Sequence, residues 1–145
     1  MNLRHIFRAL SGALMGLAAW LAQLLGGWDA ALSLLFLLMG LDLVTGIITA
    51  LMRKSGHTQG GGFLSRTLFS GLTRKLMMVI LVMLATALDG LMASVVCRLA
   101  VIGFYGANEA LSIVENAALL GVPFPKGLLE ALERFRQERE EVKPG

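Results

Sequence analysis

Four long apolar stretches constrain the fold of this chain more than any other feature of its sequence. They cover residues 9–25, 30–52, 76–96 and 99–122. A bilayer core about 30 Å thick takes about 20 apolar helical residues to cross, and each stretch comes close to that length. The first is short for a span, and the fourth is the most polar. The sequence therefore predicts an all-α integral membrane protein with about four transmembrane helices.

The composition fits this class of protein. Hydrophobic residues make up 56% of the 145 residues and charged residues 16%, whereas about a quarter of a soluble domain is charged. The length suits one transmembrane domain, which we place at residues 1–125, followed by a charged cytoplasmic tail at residues 126–145. Apolar residues recur in this tail at helical spacing and predict a short amphipathic helix. They are Leu128, Leu129, Leu132 and Phe135.

Basic residues are concentrated on one side of the predicted membrane. The segment between the second and third stretches contains five bases and no acid, and Arg4 and Arg8 precede the first stretch. Short loops rich in Lys and Arg stay in the cytoplasm, so we predict both termini inside and a basic loop at the membrane surface. The residues of this loop are Arg53, Lys54, Arg66, Arg74 and Lys75.

This asymmetry also accounts for the net charge of +3. Because no nucleic-acid-binding motif accompanies the bases, we predict membrane lipid as their partner and not nucleic acid.

Residues 55–62 are polar and rich in glycine and predict a flexible linker, and the amphipathic, basic residues 63–75 predict an interfacial helix. We expect the first stretch to be retained as a span, because no signal-peptide cleavage site with a polar start follows Leu25.

Ionisable residues inside the stretches are the candidate functional residues. A charge at the centre of a span costs about 2.5–3.5 kcal/mol on insertion scales, so such residues face protein or water and mark functional sites. Asp42 lies near the middle of the second stretch, and Thr45 and Thr49 follow it at helical spacing. Asp89 lies in the third stretch beside small residues, which suits a tight helix contact.

The fourth stretch has a polar face along its whole length. At about 100° per residue, its polar side chains fall within an arc of about 120°, opposite an apolar face. Two glutamates leave the helix only marginally able to insert by itself. The face either packs within one chain or meets a second copy or water in a pore, and the sequence leaves both open. Its residues are Tyr105, Asn108, Glu109, Ser112, Glu115 and Asn116.

No constellation of catalytic residues is visible, so we predict that the chain is not an enzyme. The two histidines, His5 and His57, are far apart in the sequence, and we predict no metal site and no cofactor. Cys97 is the single cysteine, which excludes an intramolecular disulfide. Gly12 and Gly16 allow another helix to approach closely, either within the chain or from a second copy.

Several of these segments are similar to one family of membrane proteins. The second stretch contains Leu41-Asp42 and Thr45-Gly46, a basic Gly-Leu-Thr-Arg-Lys run ends at residue 75, and Leu88-Asp89 supplies the acid of the third stretch. The most specific segment spans residues 98–125, with Asn-Glu, then Glu-Asn, then Leu-Gly-Val-Pro-Phe-Pro in order. Over about residues 40–135 the chain resembles the phage-lysis and toxin-secretion holins, bacteriophage holin family 4. It departs from them in the glycines at 60–62 and in Gly106.

The resemblance implies a holin that oligomerises in the bacterial inner membrane and forms a lesion or pore. The lesion would release an endolysin or a large toxin, for host cell lysis or secretion, without direct contact with it. The implied pore-lining or helix-contact residues are Asn108, Glu109, Ser112, Glu115, Asn116, Asp42 and Asp89.

Two other functions are compatible with the same predicted spans. One is a small ion- or proton-conducting membrane subunit that uses the acids as a relay. The other is a holin-like regulator that restrains a pore-forming protein and does not itself form pores.

Overall fold

The structure is a computed structural model of the chain. It describes residues 3–54, 61–128, 130, 131 and 134, and leaves undescribed the side chains of residues 53, 54 and 61–67. The described residues form four long α-helices and no strand, which confirms the all-α prediction for this part of the chain. The helices are α1 (Leu3–Leu24), α2 (Ala30–Lys54), α3 (Gly61–Met92) and α4 (Val96–Leu119).

Three of the four helices are long and apolar enough to cross a membrane. These candidate spans are Leu3–Leu24, Ala30–Met52 and Leu68–Met92 among the described residues. The second has the predicted bounds, 30–52. Helix α4, which contains Arg98, Glu109 and Glu115 within 24 residues, is not among the three. The fourth span therefore stays a prediction.

Two helix ends around the α3–α4 connection differ from the bounds of the predicted stretches. The third stretch was predicted to reach residue 96, but α3 ends at Met92. The cause is a left-handed residue, Ala93 at φ 50°, after which the Ser94 amide donates to the Asp89 carbonyl oxygen at 2.9 Å. This closes the helix in the manner of a Schellman motif. Cys97, predicted to lie in the connection, is therefore in the first turn of α4.

Helix α3 is longer at its start than the sequence predicts. It begins at Gly61 and continues without a break to Met92, so residues 63–75 are not a separate interfacial helix. No proline interrupts this segment, and an apolar helix that has started extends at little cost per residue. Two residues of the predicted linker, Gly61 and Gly62, lie in its first turn, and residues 55–60 are outside the described residues.

Helix α4 ends three residues before the predicted boundary at 122. Gly121, at φ 87°, donates its amide to the Ala118 carbonyl oxygen, and the Val122 amide donates to that of Ala117 at 3.1 Å. The helix therefore stops before Pro123. Beyond it, residues 126–128, 130, 131 and 134 are helical, whereas the tail residues Leu129, Leu132 and Phe135 lie outside the described residues.

The packing divides into two compact units. The first comprises Met1–Phe36 and Leu72–Tyr105, and the second comprises Leu37–Gly71 and Gly106–Gly145. Buried residues of the first unit recur every three or four positions along α3, which is the spacing of one helix face. They are Lys75, Met78, Val82, Ala85 and Asp89, with Leu32 and Leu35 of α2 and Ile102 of α4 also buried.

Helix α1 has no buried residue, and its large apolar side chains are all exposed. A continuous exposed apolar surface of this kind marks contact with lipid or with another protein. A Cβ added at Gly12 or Gly16 would meet no described atom within 4 Å. The two glycines therefore make no close helix contact among the described residues of this chain.

Candidate functional site

Arg98 is the centre of a polar cluster in the first unit, which we call the Arg98 cluster. It lies in the first turn of α4 and is 8% exposed. Its Nε donates to the Leu25 carbonyl oxygen at 2.6 Å, and its Nη2 donates to the Gly27 carbonyl oxygen at 3.1 Å. Its Nη1 and Nη2 donate to the two carboxylate oxygens of Asp29 at 2.7 and 3.1 Å. One guanidinium thus joins the α1–α2 connection to the start of α4.

The α1–α2 connection is shaped to receive this guanidinium. Gly26 follows α1 with φ 82°, and its amide donates to the Gln23 carbonyl oxygen at 3.0 Å. A Cβ built on Gly26 would lie 2.7 Å from Nε and 2.8 Å from Cδ of Arg98. Both the left-handed backbone and the close approach therefore require glycine at this position.

Asp29 has two roles at the start of α2. Its Oδ1 accepts a hydrogen bond from the Leu32 amide at 2.9 Å, which caps the helix, and both of its oxygens bond Arg98. The Arg98 hydrogen bonds, and next the Leu32 amide, lower the pKa of this carboxyl to about 2. Asp29 is 46% exposed, so solvent screens the ion pair, and its directed hydrogen bonds matter more than its charge alone.

The stability of the first unit is expected to fall in acid because of Asp29. Its folded pKa, about 2, lies below the unfolded value of 3.8, so its contribution is complete above about pH 4 and is lost as the pH falls toward 2. Unfolding of the purified protein in detergent, followed by circular dichroism between pH 5 and 2, measures this loss. Asp29→Asn should flatten the dependence in this window, and an equally steep dependence in that variant would contradict the assignment.

Asp89 links α3 to α4 through backbone amides next to the Arg98 side chain. It is 5% exposed, and its two oxygens accept hydrogen bonds from the Cys97 amide at 2.9 Å and the Arg98 amide at 2.8 Å. The first amides of a helix have no partner within it and attract anions, so this carboxylate caps α4 across the turn. Thr86, by contrast, donates to the Val82 carbonyl oxygen of its own helix at 2.9 Å.

The polar face predicted for α4 is largely covered in this structure. Glu109 is 3% exposed. The other four predicted site residues of this helix are half-buried: Asn108, Ser112, Glu115 and Asn116. In the second unit, Asn116 Nδ2 donates to Thr45 Oγ1 at 3.2 Å. This pair joins α2 to α4, and we call it the Thr45–Asn116 contact.

The two threonines of the polar stripe predicted on α2 bond back to their own helix. Thr45 Oγ1 donates to the Asp42 carbonyl oxygen at 3.1 Å, and Thr49 Oγ1 donates to the Thr45 carbonyl oxygen at 2.9 Å. Asp42 itself is half-buried. Each of these hydroxyls uses its proton in a hydrogen bond to a carbonyl oxygen of α2. The lone pairs of Thr45 Oγ1 therefore stay available to accept the hydrogen bond from Asn116.

The five residues of the predicted basic loop lie on helices, with Arg53 and Lys54 at the end of α2 and Arg66, Arg74 and Lys75 on α3. Arg74 is exposed and Lys75 is buried on α3, while the side chains of Arg53, Lys54 and Arg66 lie outside the description. The described residues contain no group of three or more metal-ligating side chains. The lipid-binding role of the loop and the absence of a metal or cofactor stay predictions.

Sequence reasoning missed the Arg98 cluster. The predicted stretches leave Arg98 in the connection at residues 97–98 and Asp29 in the connection at residues 26–29. The available signal was that one acid and one base occur in the two connections predicted on the same side of the membrane. Because both connections lie on the same side of the membrane in the predicted topology, an ion pair between Arg98 and Asp29 could have been predicted.

Comparison with known proteins identifies relatives over most of the chain. The model of the bacteriophage holin family matches residues 19–137. An uncharacterized 14.9 kDa protein of Clostridium perfringens is 28% identical over 139 residues, covering 94% of this chain and 100% of the relative. An uncharacterized protein of Halalkalibacterium halodurans is 35% identical over 122 residues, covering 80% and 85%.

One further relative has a functional name. The probable holin of Bacillus phage phi105 is 32% identical over 111 residues, covering 76% of this chain and 77% of the relative. No solved structure gives a significant match. With most of its length matched and three apolar helices long enough to span a membrane, the chain belongs to the bacteriophage holin family.

Proposed function

We propose that this chain is a holin that oligomerises in the bacterial inner membrane and opens a lesion through which an endolysin or a large toxin leaves the cytoplasm. Membership of the family and the name of the phage phi105 relative support this function. The single observation that carries the mechanism is α4, a 24-residue helix with two glutamates on one face. The polar face of such a helix can pack against protein in a closed assembly or contact water in an open one.

In the proposed topology, α4 is a fourth span and both termini lie in the cytoplasm. The cost of two glutamates, about 2.5–3.5 kcal/mol each at the centre of a span, is comparable to the summed gain from its apolar residues at roughly 0.3–0.6 kcal/mol each. Its insertion therefore depends on contacts for its polar face. In the single chain α2 supplies one such contact through Thr45, and in an oligomer this face would meet other copies and water.

The basic residues near the cytoplasmic surface set the orientation in this proposal. Arg4 and Arg8 precede the apolar part of α1, and Arg74 is exposed near the start of the third candidate span. Positive charge near the ends of spans that flank short connections favours the cytoplasmic side, where anionic lipid attracts it. The Arg98 cluster would then lie at the outer surface.

Induced expression in bacteria tests the function. The chain is produced alone in one strain and with a cytoplasmic endolysin in another, while turbidity and membrane potential are followed. A holin predicts abrupt loss of potential after a delay, with lysis only where the endolysin is present. Loss of potential without lysis in the endolysin strain would indicate a small ion pathway, and no effect in either strain would indicate a regulator that opens nothing.

A further inference from the structure

The polar face of α4 cannot line a wide aqueous opening while it is packed as this structure shows. Glu109 is buried, and Asn108, Ser112, Glu115 and Asn116 are only half-exposed. On the proposed function, on which this inference rests, that face must meet water when the lesion opens. We infer that the structure is the closed state, and that the α2–α4 contact in the second unit is a latch that must separate before opening.

The latch is defined by two contacts along the helices. A Cβ added at Gly106 would lie 3.7 Å from Leu38 Cδ1, and one added at Gly46 would lie 3.8 Å from Asn116 Nδ2. Residue numbers rise together in these two pairs, so α2 and α4 run parallel here. The contacts are ten residues apart on α4, or about 15 Å at the rise of an α-helix. The helices are therefore close over nearly three turns.

The Thr45–Asn116 contact is the directed polar bond of this latch. The Thr45 hydroxyl donates to the Asp42 carbonyl oxygen at 3.1 Å, which orients its lone pairs, and Asn116 Nδ2 donates to the same oxygen at 3.2 Å. An interhelical hydrogen bond in a membrane changes an equilibrium by about threefold on average. A bond of this strength favours the closed packing and is still weak enough for assembly or loss of potential to overcome.

A reversible cross-link tests whether the latch must open. Gly46→Cys and Asn116→Cys are introduced together into a Cys97→Ser background, and a short, membrane-permeant, bifunctional thiol reagent with a reducible link is added after induction. We expect the cross-linked chain to remain in the membrane without lysing the endolysin strain, and lysis to follow when a reductant cleaves the link. Each single-cysteine variant, treated in the same way, should still lyse the endolysin strain, and Asn116→Cys should trigger at a lower protein level because it has lost its bond to Thr45.

The outcomes separate this inference from the proposed function. Lysis by the fully cross-linked chain would overturn the latch and leave the holin function intact. Absence of lysis by the wild-type chain, with endolysin present and no reagent, would overturn the function itself.

A second pair of variants tests the latch without cysteines. Thr45→Val keeps the side-chain shape and removes the oxygen that Asn116 bonds, whereas Thr45→Ser keeps the oxygen. We expect Thr45→Val to trigger at about a threefold lower protein level, measured by quantitative immunoblotting at the onset of lysis, and Thr45→Ser to trigger at the wild-type level. An unchanged or higher level in Thr45→Val would overturn the role of the contact.

Discussion

Replacing Glu109 and Glu115 together by leucine is expected to keep the chain in the membrane and to abolish lysis. Each change removes a carboxylate that costs about 2.5–3.5 kcal/mol at the centre of a span, so insertion becomes more favourable. The same change removes the charge from the face that the proposal places in contact with water. Turbidity of the endolysin strain measures lysis, and the amount of protein in washed membranes measures insertion.

Glutamine at both positions is the matched control. It removes the charges and keeps hydrogen-bonding groups of the same shape, so the face stays polar, and we expect lysis with altered timing. The proposal requires the leucine variant to fail where the glutamine variant succeeds. Normal lysis timing in the Glu109→Leu/Glu115→Leu variant would show that lysis does not require these two carboxylates, contrary to the proposal.

Arg98→Ala is expected to have the largest effect on stability of any single change in the first unit. It leaves the Leu25 and Gly27 carbonyl oxygens and the Asp29 carboxylate without the guanidinium that now bonds all of them. Loss of a hydrogen-bond partner by such groups costs about 2–3 kcal/mol, an amount moderated by the half-exposure of Asp29. Reversible unfolding in mixed micelles with a denaturing detergent measures the free energy of unfolding.

Arg98→Lys serves as the control for geometry. Lysine keeps the positive charge, but its ammonium group cannot reproduce the planar fork that reaches two carbonyl oxygens and both carboxylate oxygens. Its free energy of unfolding should therefore lie between those of the wild type and Arg98→Ala. If Arg98→Ala were as stable as the wild type, the Arg98 cluster would not join the two connections in solution.

The sequence predicted the helices well because long apolar runs have few alternatives in a membrane. One candidate span, Ala30–Met52, coincides with the second predicted stretch. Boundaries were predicted poorly where capping decides them. The turn after Met92 depends on Ala93 in a left-handed conformation. An alanine in the sequence does not predict this conformation, because it normally occurs at glycine or asparagine.

The sequence predicted that the site residues of α4 share one helix face, but it did not predict their hydrogen-bond partners. Periodicity alone places Glu109, Glu115 and Asn116 on one side of α4. It does not reveal that Asn116 bonds Thr45, because that contact joins residues 71 positions apart. The Arg98–Asp29 pair spans 69 positions, and the three-dimensional packing of the first unit is what brings the two residues together. Local patterns therefore predict which residues are polar and buried, and the tertiary fold determines which of them pair.

The size of the opening tests the central claim most directly. Purified protein is reconstituted at increasing density into vesicles that contain a small fluorescent dye and a fluorescent protein of endolysin size, and a potassium diffusion potential is applied and then collapsed. The proposal predicts that, above a threshold density, collapse of the potential releases the fluorescent protein together with the dye. Release of the dye alone at every density, with the protein retained, would contradict a lesion that passes macromolecules.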